Sequence, residues 1–435
     1  MLEPVARGLL PMLASHINKG FRLMITRRAA GQLLAATAAA AAFGAGSVQA
    51  ATEKTLDIGI DLSLTGADAD SAIRMRDGAQ LAFDNANDSG SIPGYKLRAV
   101  VFDDGTATAG QYDPAQAATN ARKMVSDPNM VAAVGPQMSG AGKAMAPILS
   151  EGDLAIITPS STNPDITNPK FAAQFRPAGK PIYFRTVTTD AYQGPNMANF
   201  YAETLHVKTV YILDDSGAYG VGLADAFEAE AKKKGIKVLG RDRLDPKASD
   251  YTTALTKIKA LNPQAIYYGG VMGAGVKLAK QSYDILPKVI KGGGDGVYGP
   301  EMLTAAGFPA AEGWYATIAS PHLTDSDKAA EFVKLFKTKF GIPPDDYSIT
   351  SYDAGLVIVA AITELAKAHK PITKASVRDA IQNIKVPTIQ GVVSFDANGD
   401  LTDRTVSVFQ IREDKAKPLN DISAQYHYIG VAPQA

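Results

Sequence analysis

The chain has 435 residues, no cysteine, and 44 basic against 44 acidic side chains. A composition that is 46% hydrophobic and 20% charged describes a folded globular protein with room for two or three ordinary domains. Without cysteine there are no disulfides, thiolate metal sites or thiol nucleophiles, and the balanced charge argues against a nucleic-acid binder, which needs a basic surplus.

Residues 24–50 read MITRRAAGQLLAATAAAAAFGAGSVQA. Arg27 and Arg28 precede an apolar run from Ala29 to Ala45, and small residues stand at Val48 and Ala50. That is the order of an export signal cleaved near Ala50, with residues 1–23 lying upstream of a start at Met24. The run is too short and too interrupted by Gly31, Gly44 and Gly46 to read as a membrane helix. The arginine pair leaves both the general and the twin-arginine export routes open. Residues 1–50 hold five basic side chains (Arg7, Lys19, Arg22, Arg27, Arg28) and one acidic (Glu3), so the remaining 385 residues carry a net charge of −4. With no cysteine to lipidate at the junction, a free periplasmic protein is expected, and no later stretch reads as a bilayer span.

From residue 55 on, short apolar runs alternate with helical patterns. The runs are LDIGI (56–60), LRAVVF (97–102), MVAAV (130–134), LAIIT (154–158), TVYIL (209–213), IKVLG (236–240), AIYYG (265–269) and KVIKG (288–292). They are nearly continuous in hydrophobicity, which suits parallel strands buried on both faces. Between them, Ala72, Met75, Ala79, Phe83 and Ala86 repeat at helical spacing, as do Tyr251, Leu255, Ile258 and Leu261, and later Phe332, Phe336 and Phe340. Asp113 ahead of Pro114 is a helix start, as is Ser249 or Asp250 further on. The alternation occurs twice, over 55–185 and 190–318, and FRTVTTDAYQG (184–194) breaks it. After 320 the chain reads as helical over 325–340, 349–369 and 374–383, then as a hairpin over 391–411 turning at Asp396–Asp400. The expected fold is α/β: two doubly wound parallel-sheet lobes with a cleft between them.

In such sheets ligands bind beyond the carboxyl ends of the strands. After MVAAV comes Gly135-Pro136-Gln137-Met138-Ser139-Gly140-Ala141-Gly142-Lys143, which misses the phosphate-cradling pattern because Gln137 and Ala144 replace its Gly and its Ser/Thr. What remains is a serine at a helix N-terminus, suited to a carboxylate or serving as an ordinary cap. After LAIIT, Ser160, Ser161 and Thr162 bring three adjacent hydroxyls, or only a polar turn. In the second half, Asp214–Gly220 contains Tyr219, Val271 follows AIYYG-Gly270, and Asp295 sits in the glycine-rich loop after KVIKG. Asp295 is either a partner for an ammonium or a solvated turn residue. The histidines beyond the signal (His206, His322, His369, His427) have no metal spacing, and no nucleophile motif is present.

Taken in order, the chain resembles the branched-chain amino-acid-binding proteins of bacterial ABC importers, which have the type I periplasmic binding protein fold. The resemblance is carried by IGIDLSLTG (58–66), DGAQLAFDNAN (77–87), VFDDGTA (101–107), DPAQAATNARKMV (113–125), ITPSSTNPDIT (157–167), FRTVTTDAYQG (184–194), AYGVGLADAF (218–227), YYGG (267–270), PEM (300–302) and AAEGW (310–314). It implies that Ser139 and Thr162, with the backbone at Ser160 beside Ser161, hold an amino acid's carboxylate and amino group. It implies that Asp295, where the family more often has Glu, neutralises the ammonium, and that Tyr219 closes over the ligand. Ser71 and Val271 stand where relatives often carry aromatics, and Asp68, Asp70 and Arg74 near the entrance either favour a polar ligand or form solvated surface.

The implied lobes are 51–187 plus 320–404 and 188–319 plus 405–435, joined by three crossings. The resemblance also implies no catalytic residue, metal or cofactor. The expected partners are a small-molecule ligand and an inner-membrane permease with its ATPase. The protein is expected to be a monomer that binds no nucleic acid. The alternatives are the same fold with an aromatic acid or amide as ligand, a secreted hydrolase, and a cytoplasmic sensor.

Overall fold

The computed structural model describes residues 53–435, so the export-signal reading lies outside the described residues. The first half builds a five-stranded parallel sheet from β1 (Lys54–Leu62), β2 (Tyr95–Asp103), β3 (Met130–Val134), β4 (Ile156–Thr158) and β5 (Tyr183–Arg185), in the order β2-β1-β3-β4-β5. Helices α1 (Ala69–Asp88), α2 (Pro114–Ser126) and α3 (Ser139–Glu151) make the crossovers. Central strands need apolar residues on both faces, and Ile58, Ile60, Ala132, Val134 and Ile157 are fully buried. Asp113 caps α2, its carboxylate accepting from the Ala115 N–H at 2.9 Å.

After β5 the chain enters α4 (Asp190–Asn199) and a second sheet, with β6 (Thr209–Asp214), α5 (Ala218–Lys233), β7 (Lys237–Arg243), α6 (Thr252–Leu261), β8 (Ala265–Gly269), α7 (Met272–Ile285), β9 (Ile290–Gly293) and β10 (Tyr315–Ile318). Two later strands, β11 (Ser407–Ile411) and β12 (Tyr426–Val431), complete the order β12-β11-β10-β9-β8-β6-β7. Both late strands pair antiparallel, while the others run parallel.

The expected hairpin over 391–411 forms only at its tip. The Asp396 N–H donates to the Asp400 carbonyl and the turn closes with a Phe395–Leu401 bridge, but Gly391–Val393 pairs with Val386–Thr388 while β11 joins the second sheet. A local turn does not decide which sheet its arms enter.

Between β10 and β11 lie α8 (Ala330–Phe340), α9 (Asp346–Lys367) and α10 (Lys374–Asn383). Contrary to the expectation that no later stretch is long and apolar enough to cross a bilayer, helix α9 is, but it is mostly buried inside the molecule. It packs along α1, where a Cβ at Gly78 would stand 2.3 Å from the Ser348 carbonyl oxygen. Asp345 and Ser348 form a reciprocal capping box that starts α9 at this contact. Leu261 ends the apolar pattern of α6 but is exposed, whereas Tyr251, Leu255 and Ile258 are buried.

The segments that pass between the two sheets bond to one another. The Thr188 N–H donates to Ala319 at 2.7 Å, and the Ser407 hydroxyl donates to Ser320 at 2.8 Å.

Candidate functional site

The loops that leave the carboxyl ends of both sheets face each other across one cavity. From the first sheet it is lined by Asp68, Ser71, Met75, Gln137, Met138, Ser139 and Ser160; α9 adds Tyr347. From the second sheet come Tyr219, Val271, Met272, Asp295, Gly296 and Tyr298. The cavity volume is about 40 Å³ on a scale where one water needs about 10–15 Å³, which suits a small solute.

Hydrogen bonds join the two sets of loops, among them Asn163 Nδ2 to the Ala218 carbonyl (2.9 Å), the Met272 N–H to Asp68 Oδ1 (3.2 Å), the Ser71 N–H and Oγ to Glu301 (both 2.8 Å), and the Tyr347 hydroxyl to Asp295 Oδ2 (2.6 Å).

Ser139 is the first residue of α3, whose opening N–H groups have no acceptor within the helix. Its hydroxyl does not cap that helix. It accepts from the Asn163 N–H (3.2 Å) and the Ser161 hydroxyl (3.3 Å), fixing the 160–163 loop beside the helix start. Arg185, fully buried at the end of β5, holds the same loop from behind. Its guanidinium donates to the carbonyls of Ser161 and Asn163 (2.8 Å to the latter) and pairs with Asp400 at 2.8 Å. Most donors of the loop are engaged too: the Ser160 and Ser161 N–H groups donate to Thr158 Oγ1 (3.3 and 2.8 Å) and the Ser160 hydroxyl to the Gln137 carbonyl (3.0 Å), which leaves the first-turn N–H groups of α3 as the open donors for an anion. Ser160 lines the cavity, whereas Ser161 and Thr162 are buried and do not.

Asp295 is buried, not a solvated turn residue. The Tyr219 hydroxyl donates to its Oδ1 at 2.5 Å and Tyr347 to its Oδ2, while its own N–H donates to Gln193 Oε1 at 2.8 Å. Burial pushes its carboxyl above the usual range, and the tyrosine and Gln193 hydrogen bonds oppose that. Gln193 links it to a second buried carboxylate, Asp190 at the start of α4, by a 3.0 Å bond from Nε2 to Oδ1. Asp190 is raised well above its ordinary value by burial first and by the charge of Asp295 second, and its Oδ2 has no partner.

Among the described residues lining the cavity there is no Lys, Arg or His to neutralise Asp295 or Asp68. No group of three or more potential ligands among the described residues is arranged to hold a metal ion.

Six of the eight residues singled out by sequence (Ser71, Ser139, Ser160, Tyr219, Val271, Asp295) line this one cavity. Arg74 is not solvated surface: it is buried and donates to the carbonyls of Asp70, Pro343 and Asn420. Tyr347 escaped the sequence reading because it begins a helix far along the chain, next to no strand. Asp190 lay within the rhythm-breaking FRTVTTDAYQG segment, and an aspartate at a helix start reads as a cap.

Residues 55–417 match the sequence profile of the periplasmic binding protein family. The chain is 32% identical over 356 residues to a Leu/Ile/Val-binding protein of Rhizobium johnstonii, covering 82% of this chain and 91% of that one. It is 30% identical over 367 residues to a leucine-, isoleucine-, valine-, threonine- and alanine-binding protein of Pseudomonas aeruginosa, covering 83% and 91%. Its fold is similar to that of the leucine-binding protein LivK of Thermotoga maritima, with a TM-score of 0.74 at 24% identity, covering 87% of this chain and 98% of that one.

Proposed function

Since the chain belongs to the periplasmic binding protein family, we propose that it captures an amino acid between its two sheets and delivers it to an ABC permease. Its role is binding, not catalysis. The relatives' names, which specify aliphatic amino acids, support an amino acid as ligand. The observation that carries the reading is Asp295: a buried carboxylate facing the cavity, with no cation among the described residues that line it. A buried charge without a partner is costly, and a ligand ammonium removes that cost.

In this reading the ligand carboxylate lies against the first turn of α3, beside the loop at Ser160, where the helix's own open N–H groups and its dipole favour an anion. The ammonium lies at Asp295, with Asp190 joined to it through Gln193 and Thr162 lying behind on the same side. Tyr219 covers the ligand. The proposed lobes are 53–187 with 320–404 and 188–319 with 405–435. Each holds one end of the ligand, so only the closed arrangement makes both contacts, and binding shifts the open–closed equilibrium toward the form a permease recognises. Export to the periplasm, a monomeric state and a partner ATPase complete the proposal.

The test is titration calorimetry of the purified protein against the twenty amino acids and a panel of aromatic acids and amides. Binding restricted to ligands with a free α-ammonium supports the reading. Binding of benzoates with no response to any amino acid overturns it.

A further inference from the structure

The ends of the cavity differ in what they leave unsatisfied. Besides Asp295, a second carboxylate lines the cavity: Asp68, which is 3% exposed. Its Oδ1 accepts from the Met272 N–H, but its Oδ2 has no partner. Gln137, also lining the cavity and 6% exposed, has an unpartnered Oε1; its Nε2 makes only a long 3.5 Å bond to the Asp68 carbonyl. Ser71 cannot quench these acceptors, because its hydroxyl and its N–H both donate to Glu301 at 2.8 Å. Asp215 is likewise engaged, accepting from the Gly217 and Val271 N–H groups. Two acceptors therefore stand open at one wall, and every charged group that presses on Asp68 is another carboxylate: Glu301, Asp215 and Asp104. Burial first, and these neighbours second, raise the Asp68 carboxyl to about 8.

The apolar part of the cavity lining comes from Met75, Met138, Val271 and Met272. An aliphatic side chain would reach the wall and leave Asp68 and Gln137 buried without partners, a costly outcome.

Resting on the amino-acid reading above, we propose that Asp68 and Gln137 form a second recognition subsite, and that the preferred ligand is a basic amino acid whose side-chain cation binds there. The methionines and Val271 pack the methylene stem, since thioether side chains adapt to flexible chains. The ligand thus brings one cation to each lining carboxylate, and its own carboxylate goes to α3. Ser71, where an aromatic side chain would fill this wall, keeps it open and polar.

The experiment compares ornithine, lysine and arginine with glutamine and leucine by calorimetry on the wild-type chain, on Asp68→Asn and on Gln137→Met. At least one basic amino acid is expected to bind tenfold or more tightly than leucine. Asp68→Asn is expected to weaken that ligand by at least about 30-fold, the effect of unpairing a buried charge, while changing leucine little. Gln137→Met, near in volume, should shift the preference in the same direction and serves as the readout if Asp68→Asn does not fold. Leucine binding more tightly than every basic amino acid in the wild type overturns the proposal, as does a preference that neither variant changes. Absence of binding by any amino acid would instead defeat the underlying reading, so the two failures are distinguishable.

Discussion

Asp295→Asn isolates the charge from the shape of the site. The amide keeps the volume and keeps one oxygen to accept from Tyr219; the Tyr347 hydroxyl, a donor and an acceptor, can turn to receive the new N–H. Only the negative charge facing the ammonium is lost. Unpairing a buried, hydrogen-bonded charge pair costs about 2–5 kcal/mol, roughly 30- to 5000-fold in Kd at about 1.4 kcal/mol per tenfold. The unliganded protein should respond in the opposite sense. Burial raises the Asp295 carboxyl in the folded state, so its charged form destabilises the empty protein. A carboxyl raised on folding costs nothing below its ordinary pKa, and the cost appears as pH rises through the folded value. At pH 7–8 the empty variant should therefore melt at the same temperature as wild type or higher, with a flatter stability profile. An ammonium favours the charged carboxylate, so ligand binding to wild type should release protons over the pH range in which the raised Asp295 carboxyl titrates, seen as a dependence of the calorimetric enthalpy on the buffer's ionisation enthalpy; the variant should release fewer. Affinity within threefold of wild type in a variant that melts cooperatively would refute the ammonium role.

Three further outcomes test the frame around the site. Gly78→Ala should destabilise by about 1–3 kcal/mol in urea unfolding, because overpacking the backbone contact with Ser348 outweighs the roughly 1 kcal/mol that alanine gains in a helix. Arg185→Met should cost about 3–5 kcal/mol by leaving Asp400 unpaired and the Ser161 and Asn163 carbonyls without their donor, and it should weaken ligand binding as well. His322 is raised to about 9: burial alone would lower it, but bonds to Asp325 and Asp346 outweigh that. A group raised on folding stabilises fully below its unfolded pKa and less as pH rises through the folded one, so His322→Gln should lose up to about 3 kcal/mol at pH 6 and little above pH 10, measured by melting at both.

The sheets were legible because their strands are buried on both faces. MVAAV and AIYYG coincide with β3 and β8 residue for residue. The three residues of β5 are too few to show a period, and β11 looked like a hairpin arm because pairing partners are chosen by the sheet, not by the turn. At the site, Ser139 and Asp295 could be found because each follows a strand directly. Asp68, Gln137 and Tyr347 acquire meaning only when the loops face each other, since an unpartnered oxygen is a property of assembled surroundings. The rise of the Asp190 carboxyl has the same origin, in burial first and then in the charge of a carboxylate 105 residues away along the chain.

The anchoring of the 160–163 loop by Arg185 bears on the order of events in transport. All its partners, Ser161, Asn163, Thr167 and Asp400, precede or follow the first-sheet strands, and none belongs to the second sheet. On the proposed assignment, the hold of Arg185 on the carboxylate end of the site therefore needs nothing from the second sheet. If the lobes close as proposed, arrival rate is governed by this half of the site and residence time by the other. Changes around Ser139 should act on the first, changes at Asp295 on the second, and a carrier tuned for rapid hand-over would adjust only the latter.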